Sequence, residues 1–328
     1  MAEIIALVGS NTLLGREVRE VADETRMGQH IRLVAGEGDE VGRLTVVGEE
    51  PVVVTKLDAD ALRAAAVVIL AGTVESSREA LDAEPSGLII DLTYAAEDHP
   101  GARVRAPLVE EEGFAADRSG PQIVAHPAAV AIAAVMKKLS GLAPLRSASV
   151  HIFEPASERG QAGIEELQQQ AVNLLSFKPL PKTVFDAQLG FAMLARLGER
   201  ASVSLEGVEE RIEKHLASLI DRMDDVPMPS IRLVQAPVFH GYSFSFHVEF
   251  DEMPLFAEIE EALSEAPLEF RSEDTGAPDN VGVAGQNGIA TGALAMDRNS
   301  ADAIWLWAAA DNLRISAENA MRIAGEAL

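Results

Sequence analysis

The sequence predicts an α/β domain built on a parallel sheet, then an α+β region with a broad mixed sheet, and a C-terminal helix that returns to the first domain. Three observations carry this. Short, fully apolar runs alternate with helix-period segments through the first third of the chain. Beyond about residue 130 these give way to long amphipathic segments, and one later stretch, 242–250, alternates strictly between apolar and polar residues. A length of 328 residues suits two domains.

The elements follow in order. Residues 3–9, EIIALVG, read as a strand, SNT as a polar turn, and LLGREVREVADE as a helix with Leu14, Val18 and Val21 on one face. HIRLVAG (30–36), PVVVTKL (51–57), AAVVILAG (65–72) and GLIIDLT (87–93) are apolar runs of the kind a sheet covered on both faces requires. PQIVAHP is expected to be the last strand of that sheet, and VAHPAAVAIAAV reads as a strand end, a His-Pro turn and an apolar helix start. Further on, 161–175 predicts a helix with Ile164, Leu167, Ala171 and Leu174 on one face. A second helix, 208–223, carries Val208, Ile212, Leu216, Leu219, Ile220 and Met223 as its stripe. In YSFSFHVEF, residues Tyr242, Phe244, Phe246, Val248 and Phe250 face one way, and Ser243, Ser245, His247 and Glu249 the other, as in a half-buried antiparallel strand. The Gly/Asn/Asp-rich tract 273–288 reads as loop, and 300–328 as one or two helices, with Trp305, Ala309, Asn312, Ile315 and Ser316 sharing a face.

Composition excludes several function classes. There are 52 acidic against 27 basic residues, a formal charge of −25, which repels nucleic acid and anionic membranes. The chain has no cysteine, so disulfides, thiolate metal sites and thiol nucleophiles are absent. The histidine spacing suggests no metal site, and no apolar run is long enough to span a membrane. The chain enters a strand-like run at once, without a basic segment or cleavage site, which predicts a cytoplasmic protein.

Two turns are candidates for a cofactor. Gly9 and Gly15 in GSNTLLG lie between the first strand and first helix, where backbone N–H groups can meet a pyrophosphate. Thr12 stands where a further glycine would allow close approach, and a β-branched residue resists positive φ, so a plain strand-to-helix turn is the alternative. After the second strand, Glu37 or Asp39 could accept from ribose hydroxyls and would oppose the extra phosphate of NADP. A solvated acidic loop is the alternative there.

Taken together, ALVGSNTLLGREV, VAHPAAVAIAAVMKKL, HIFEPASERGQAGIEEL, FDAQLGFAML, APVFHGYSFSFHVEF and AAADNLRISAENAMRIAG resemble, in order, segments of the aspartate-semialdehyde dehydrogenase family. The resemblance covers essentially the whole chain. It implies a Rossmann-like domain of residues 1–128 and 303–328, and a dimerisation domain of residues 129–302. It implies cofactor contacts at Gly9, Ser10, Asn11, Thr12, Leu13, Gly15, Glu37, Gly72 and Asn312. The cofactor would be NAD or NADP, with NAD favoured by the acidic loop, unless the turn holds no nucleotide. It also implies a two-fold homodimer.

The same resemblance shows what is missing. The family's Asn-Pro-x-Cys turn becomes His126 through Ala129, with alanine at the position of the thioester-forming cysteine. Glu154 stands for the glutamine that positions the reaction and Tyr242 for the acid/base histidine. Glu97 replaces the phosphate-gripping arginine, and Gln235 the substrate-binding arginine. No catalytic set is intact, a departure that resembles the Usg-type paralogues of the family. Two readings stay open: a non-catalytic homodimeric binding or scaffold protein, and an NAD(P)-dependent oxidoreductase acting on a small carbonyl without a thiol. In the second, Tyr242, His126 or His240 would donate the proton, although Tyr242 also simply continues the apolar face of its strand and His240 sits in a turn.

Overall fold

The computed structural model describes residues 4–36, 39–48, 50–111, 114, 119–272 and 274–328. The chain forms two units, residues 1–125 with 316–328, and residues 126–315.

In the first unit β1 (Ile5–Val8) leads through a tight turn into α1 (Leu13–Glu24), followed by β2 (Ile31–Val34), β3 (Leu44–Val47), β4 (Glu50–Val53), α2 (Ala59–Arg63), β5 (Val67–Leu70), α3 (Val74–Asp82), β6 (Leu88–Asp91), β7 (Arg103–Arg105) and β8 (Gln122–Val124). The six-stranded sheet runs β2-β1-β5-β6-β8-β7, and all its pairs are parallel. Strands β1 and β5 are buried at every residue because both sheet faces are covered, one of them by α1 together with the 317–324 portion of the C-terminal helix. Helix starts are capped by side chains: Thr12 Oγ1 accepts from the Gly15 amide, Asp58 from Ala61, and Thr73 from Ser76 with a reciprocal bond back. The order of the sheet turns back beside β1, which places the β1–α1 turn at the position where ligands bind in such sheets.

Two expectations change here. PVVVTKL does not join the main sheet; β4 pairs antiparallel with β3 in a two-stranded hairpin, and Thr55 makes a single bridge to Val34. Pro51 lies in that small ribbon, where a missing N–H is tolerated. The edge strand β7, RVR, is too short and too charged to stand out in the sequence.

The second unit contains α4 (Pro127–Ser140), β9 (Leu145–Glu154), α5 (Gly160–Leu175), α6 (Leu205–Ile220), β10 (Ser230–Gln235), β11 (Tyr242–Phe250), α7 (Phe256–Ala262), β12 (Leu268–Arg271), β13 (Ile289–Met296), β14 (Ala303–Ala310) and the first turn of α8 (Asn312–Gly325). Its mixed sheet runs β10-β9-β11-β14-β13-β12. β11 alternates buried and half-buried at every residue, as its sequence predicts. Its aromatic face is covered within the unit; α4 and α6 pack on each other, with α4 also against β9 and α6 against β10. The half-polar face carries more than Ser243, Ser245 and His247. Phe153 of β9 and Trp307 of β14 pair opposite Ser243 and Ser245 and stack with ring centroids 5.7 Å apart.

The expected helix at 300–310 is β14, a central strand. AIWLWAAA is alanine-rich and fits a helical wheel as well as a strand; pairing with β11 and β13 decides it. Helix α5 is rotated from its predicted face. Gly163, Glu166, Leu167 and Gln170 are its buried residues, while Ile164, Ala171 and Leu174 are half-buried. The cause is a set of polar contacts. Glu166 accepts from the amides of Thr183, Val184 and Phe185, and Gln170 bonds the carbonyls of Pro181 and Ala187 and the amides of Leu189 and Gly190.

Candidate functional site

The β1–α1 turn is built by close backbone approach. Gly9 has φ 81°, and a Cβ there would fall 2.2 Å from the Gly72 Cα, while a Cβ on Gly15 would fall 2.2 Å from the Gly9 carbonyl oxygen. Thr12 does not need the left-handed conformation. Its φ is −62°, and its hydroxyl donates to the Ala71 carbonyl at 2.6 Å while accepting from the Gly15 amide. The concern that a β-branched residue resists this turn is thus removed. The turn fits an anionic pyrophosphate on one further observation: the Ser10 hydroxyl is buried with no partner among the described residues. Leu13 opens α1. Asp39 accepts from the Gly36 amide at 2.8 Å and so closes its own loop; Glu37 lies outside the described residues. Glu97 belongs to this unit, in a loop that the buried Asp91 carboxylate organises through Thr93 and the Ala96 amide. Desolvation pushes the Asp91 carboxyl above the usual range.

Five of the expected catalytic positions, with Asn312, lie in the second unit. His126 caps α4, its Nδ1 accepting from the Ala128 amide, and its own amide donates to Nδ1 of the buried His215 at 2.9 Å. Pro127 takes the first helical position, and Ala129 follows in the first turn with no exposed surface. Tyr242 OH lies 3.4 Å from Glu154 Oε1, its ring 6.1 Å from that of His126. Arg159 grips the other Glu154 oxygen at 2.7 Å, with both side chains nearly free of solvent. Gln235 donates to the Glu154 carbonyl, while its own Oε1 is buried without a partner among the described residues. Asn312 donates to Glu158 at 2.7 Å and accepts from Ser157 and the Gly241 amide. His240 contributes its carbonyl, which accepts from Asn280.

Glu158, Arg159 and His215 went unread in the sequence. The signal for the first two was present: where the family segment runs Ser-Gly-x-Gly, this chain has Ser157-Glu158-Arg159-Gly160. Burial raises the Glu154 carboxyl, opposed chiefly by Arg159. It also pushes Glu158 up to about 7, helped by the nearby Glu154 charge. Glu158 Oε2 lies 4.0 Å from His126 Nε2. Among the described residues no group of three or more His, Cys, Asp or Glu could hold a metal ion, and no helix is long and apolar enough to cross a membrane.

Residues 136–315 match the semialdehyde dehydrogenase dimerisation domain. The chain belongs to the semialdehyde dehydrogenase family. Relatives span its whole length. The aspartate-semialdehyde dehydrogenase of Rickettsia bellii is 24% identical over 333 residues, covering 98% of this chain and 96% of that protein. A USG-1 protein homolog of Azotobacter vinelandii is 28% identical over 330 residues, with the same shares covered. The solved structure of a "probable aspartate-semialdehyde dehydrogenase" from Pseudomonas aeruginosa superposes with a TM-score of 0.86 at 25% identity, covering 99% of this chain and 98% of that one. The semialdehyde dehydrogenase frame is therefore present throughout.

Proposed function

We propose that this chain is a non-catalytic member of the semialdehyde dehydrogenase family, a homodimer that retains a dinucleotide turn in its first unit. One observation carries the reading. The buried cluster on β9, α4 and β11 holds its carboxylates in its own contacts: Glu154 is engaged by Arg159 and Tyr242, and Asn312 ties Glu158 to Ser157. An alanine methyl group cannot form the thioester, and the carboxylate at the glutamine position is committed to Arg159. Homodimerisation is supported by the matched dimerisation domain and by the half-aromatic outer face of β9, β11 and β14.

A second reading, reduction of a small carbonyl with a nicotinamide as hydride source, is favoured by Glu158. A carboxyl pushed up to about 7 beside His126 can exchange a proton near neutrality. One assay separates the two. Purified protein with aspartate semialdehyde, phosphate and NADP or NAD, and with small aldehydes and NADPH or NADH, is expected to show no turnover above the protein-free blank. Turnover that Tyr242→Phe or Glu158→Gln abolishes would overturn the non-catalytic reading.

A further inference from the structure

Ala156–Arg159 form a short 3₁₀ turn between β9 and α5. Its Glu158 side chain keeps 16% exposure, while that of Glu154 is fully enclosed. The groups around Glu158 come from several elements. Glu154 of β9 and Asp311, between β14 and α8, are carboxylates that oppose a further negative charge. Arg159 favours one, but its guanidinium is already 2.7 Å from Glu154 Oε2. Tyr242 of β11 directs its hydroxyl to Glu154. Asn312 of α8 donates to Glu158 Oε1, a neutral contact.

Two histidines stand near, and neither is placed to supply the missing cation. His126 of α4 brings its Nε2 to 4.0 Å from Glu158 Oε2, while its Nδ1 accepts from the Ala128 amide. His215 of α6 accepts the His126 amide on its own Nδ1. An imidazole takes its second proton on that same lone pair, so either ring would turn cationic only by giving up a backbone N–H. An ionised Glu158 is therefore a third carboxylate set on one committed guanidinium in a nearly dry cluster. Burial first, and then the Glu154 and Asp311 charges, push Glu158 up to about 7.

The turn is built so that it can respond. On one side the Ala156 and Ser157 amides donate to the Val238 and Phe239 carbonyls, and the Ser157 hydroxyl donates to Asn312. On the other side Gly160 has φ 62°, and nothing lies within 4 Å of the position a Cβ would take. A few bonds thus hold a short segment that ends in a permissive residue with open space beside it.

We propose that residues 155–160 are a pH-operated latch: protonated Glu158 keeps the turn closed on Asn312, and ionised Glu158 moves out to solvent by rotation at Gly160, admitting water to the Glu154–Arg159 pair. The closed state is the low-pH state, because the neutral carboxyl is the form the cluster can hold.

The test is site-resolved hydrogen exchange on the full chain at about pH 5.5 and about pH 8.5, below and above the Glu158 value, with each rate divided by its intrinsic rate at that pH. Protection at Ala156 and Ser157 is expected to fall by roughly tenfold or more at the higher pH, while Val150 and Ile152 of β9 keep theirs. Glu158→Gln, which retains an acceptor for Asn312 and cannot ionise, should hold the turn closed at both values. Should that variant not fold, the comparison of the turn with β9 in the native protein decides alone. Equal protection of Ala156 and Ser157 at both pH values, a loss that β9 shares, or the same local loss in Glu158→Gln overturns the latch.

Discussion

Arg159 and Glu154 are the residues on which the character of the second-unit cluster turns. Their 2.7 Å ion pair is almost wholly removed from water, so breaking it strands a charge. Arg159→Met is expected to destabilise the protein by about 3–5 kcal/mol, and adding Glu154→Gln to recover much of that, because the neutral amide leaves no buried charge. Denaturant midpoints of the single and double variants check this; equal loss in both would place the cost in packing. Glu158 gives the second residue-scale prediction. Its folded value of about 7 lies above the ordinary 4.5, so between those limits the native state holds a proton that the unfolded chain releases. Its contribution is therefore complete below about pH 4.5, falls as pH rises through 7, and then levels off. The change is on the order of 1–3 kcal/mol, discounted because the side chain retains 16% exposure. Glu158→Gln should flatten the stability difference between pH 5 and pH 8; an unchanged difference would assign the titration elsewhere.

At the scale of elements, α5 shows how far a sequence pattern can be trusted. Its helical period is legible and its ends fall where predicted, yet its inward side is set by Glu166 and Gln170. No apolar-periodicity argument places a glutamate inside. Its partners, the amides at 183–185, come from a segment with no regular structure of its own, and only the folded chain reveals them. Gln170→Leu should cost about 2–4 kcal/mol, since two amides and two carbonyls lose their partner together. Hydrogen exchange is expected to rise selectively at Leu189 and Gly190; uniform exchange across α5 and this segment would show that the helix itself had loosened. β11 was readable residue by residue because alternation is unambiguous, whereas β14 was not, because alanines at 308–310 carry no period. The departures proposed at Ala129, Glu154 and Tyr242 were legible in the sequence as substitutions. The ion pair beside them was not, because Arg159 acquires meaning only from its distance to Glu154.

For the whole molecule, the proposed homodimer makes the outer face of the second sheet its testable surface. Ser243, Ser245 and His247 lie there among Phe153, Trp305 and Trp307, a mixture of small, polar and aromatic groups suited to meeting its own copy across a two-fold axis. Light scattering at micromolar concentration should return twice the 34.9 kDa chain mass. Ser245→Arg with His247→Glu should return one, since an obligate interface of about 2,000 Å² or more does not absorb two buried charges. A dimer indifferent to that pair would move the interface to another face.

The placement of Trp305 and Trp307 has a practical meaning. They are the chain's two tryptophans, and both stand on β14, one bonded through its ring nitrogen to Asp297 and packed on His247, the other stacked on Phe153. Indole emission is thus a local optical probe of one sheet. The first unit contains none, so its melting leaves that signal untouched until the second sheet itself opens. A fluorescence melt that lags a circular dichroism melt would separate the stabilities of the two units without a label.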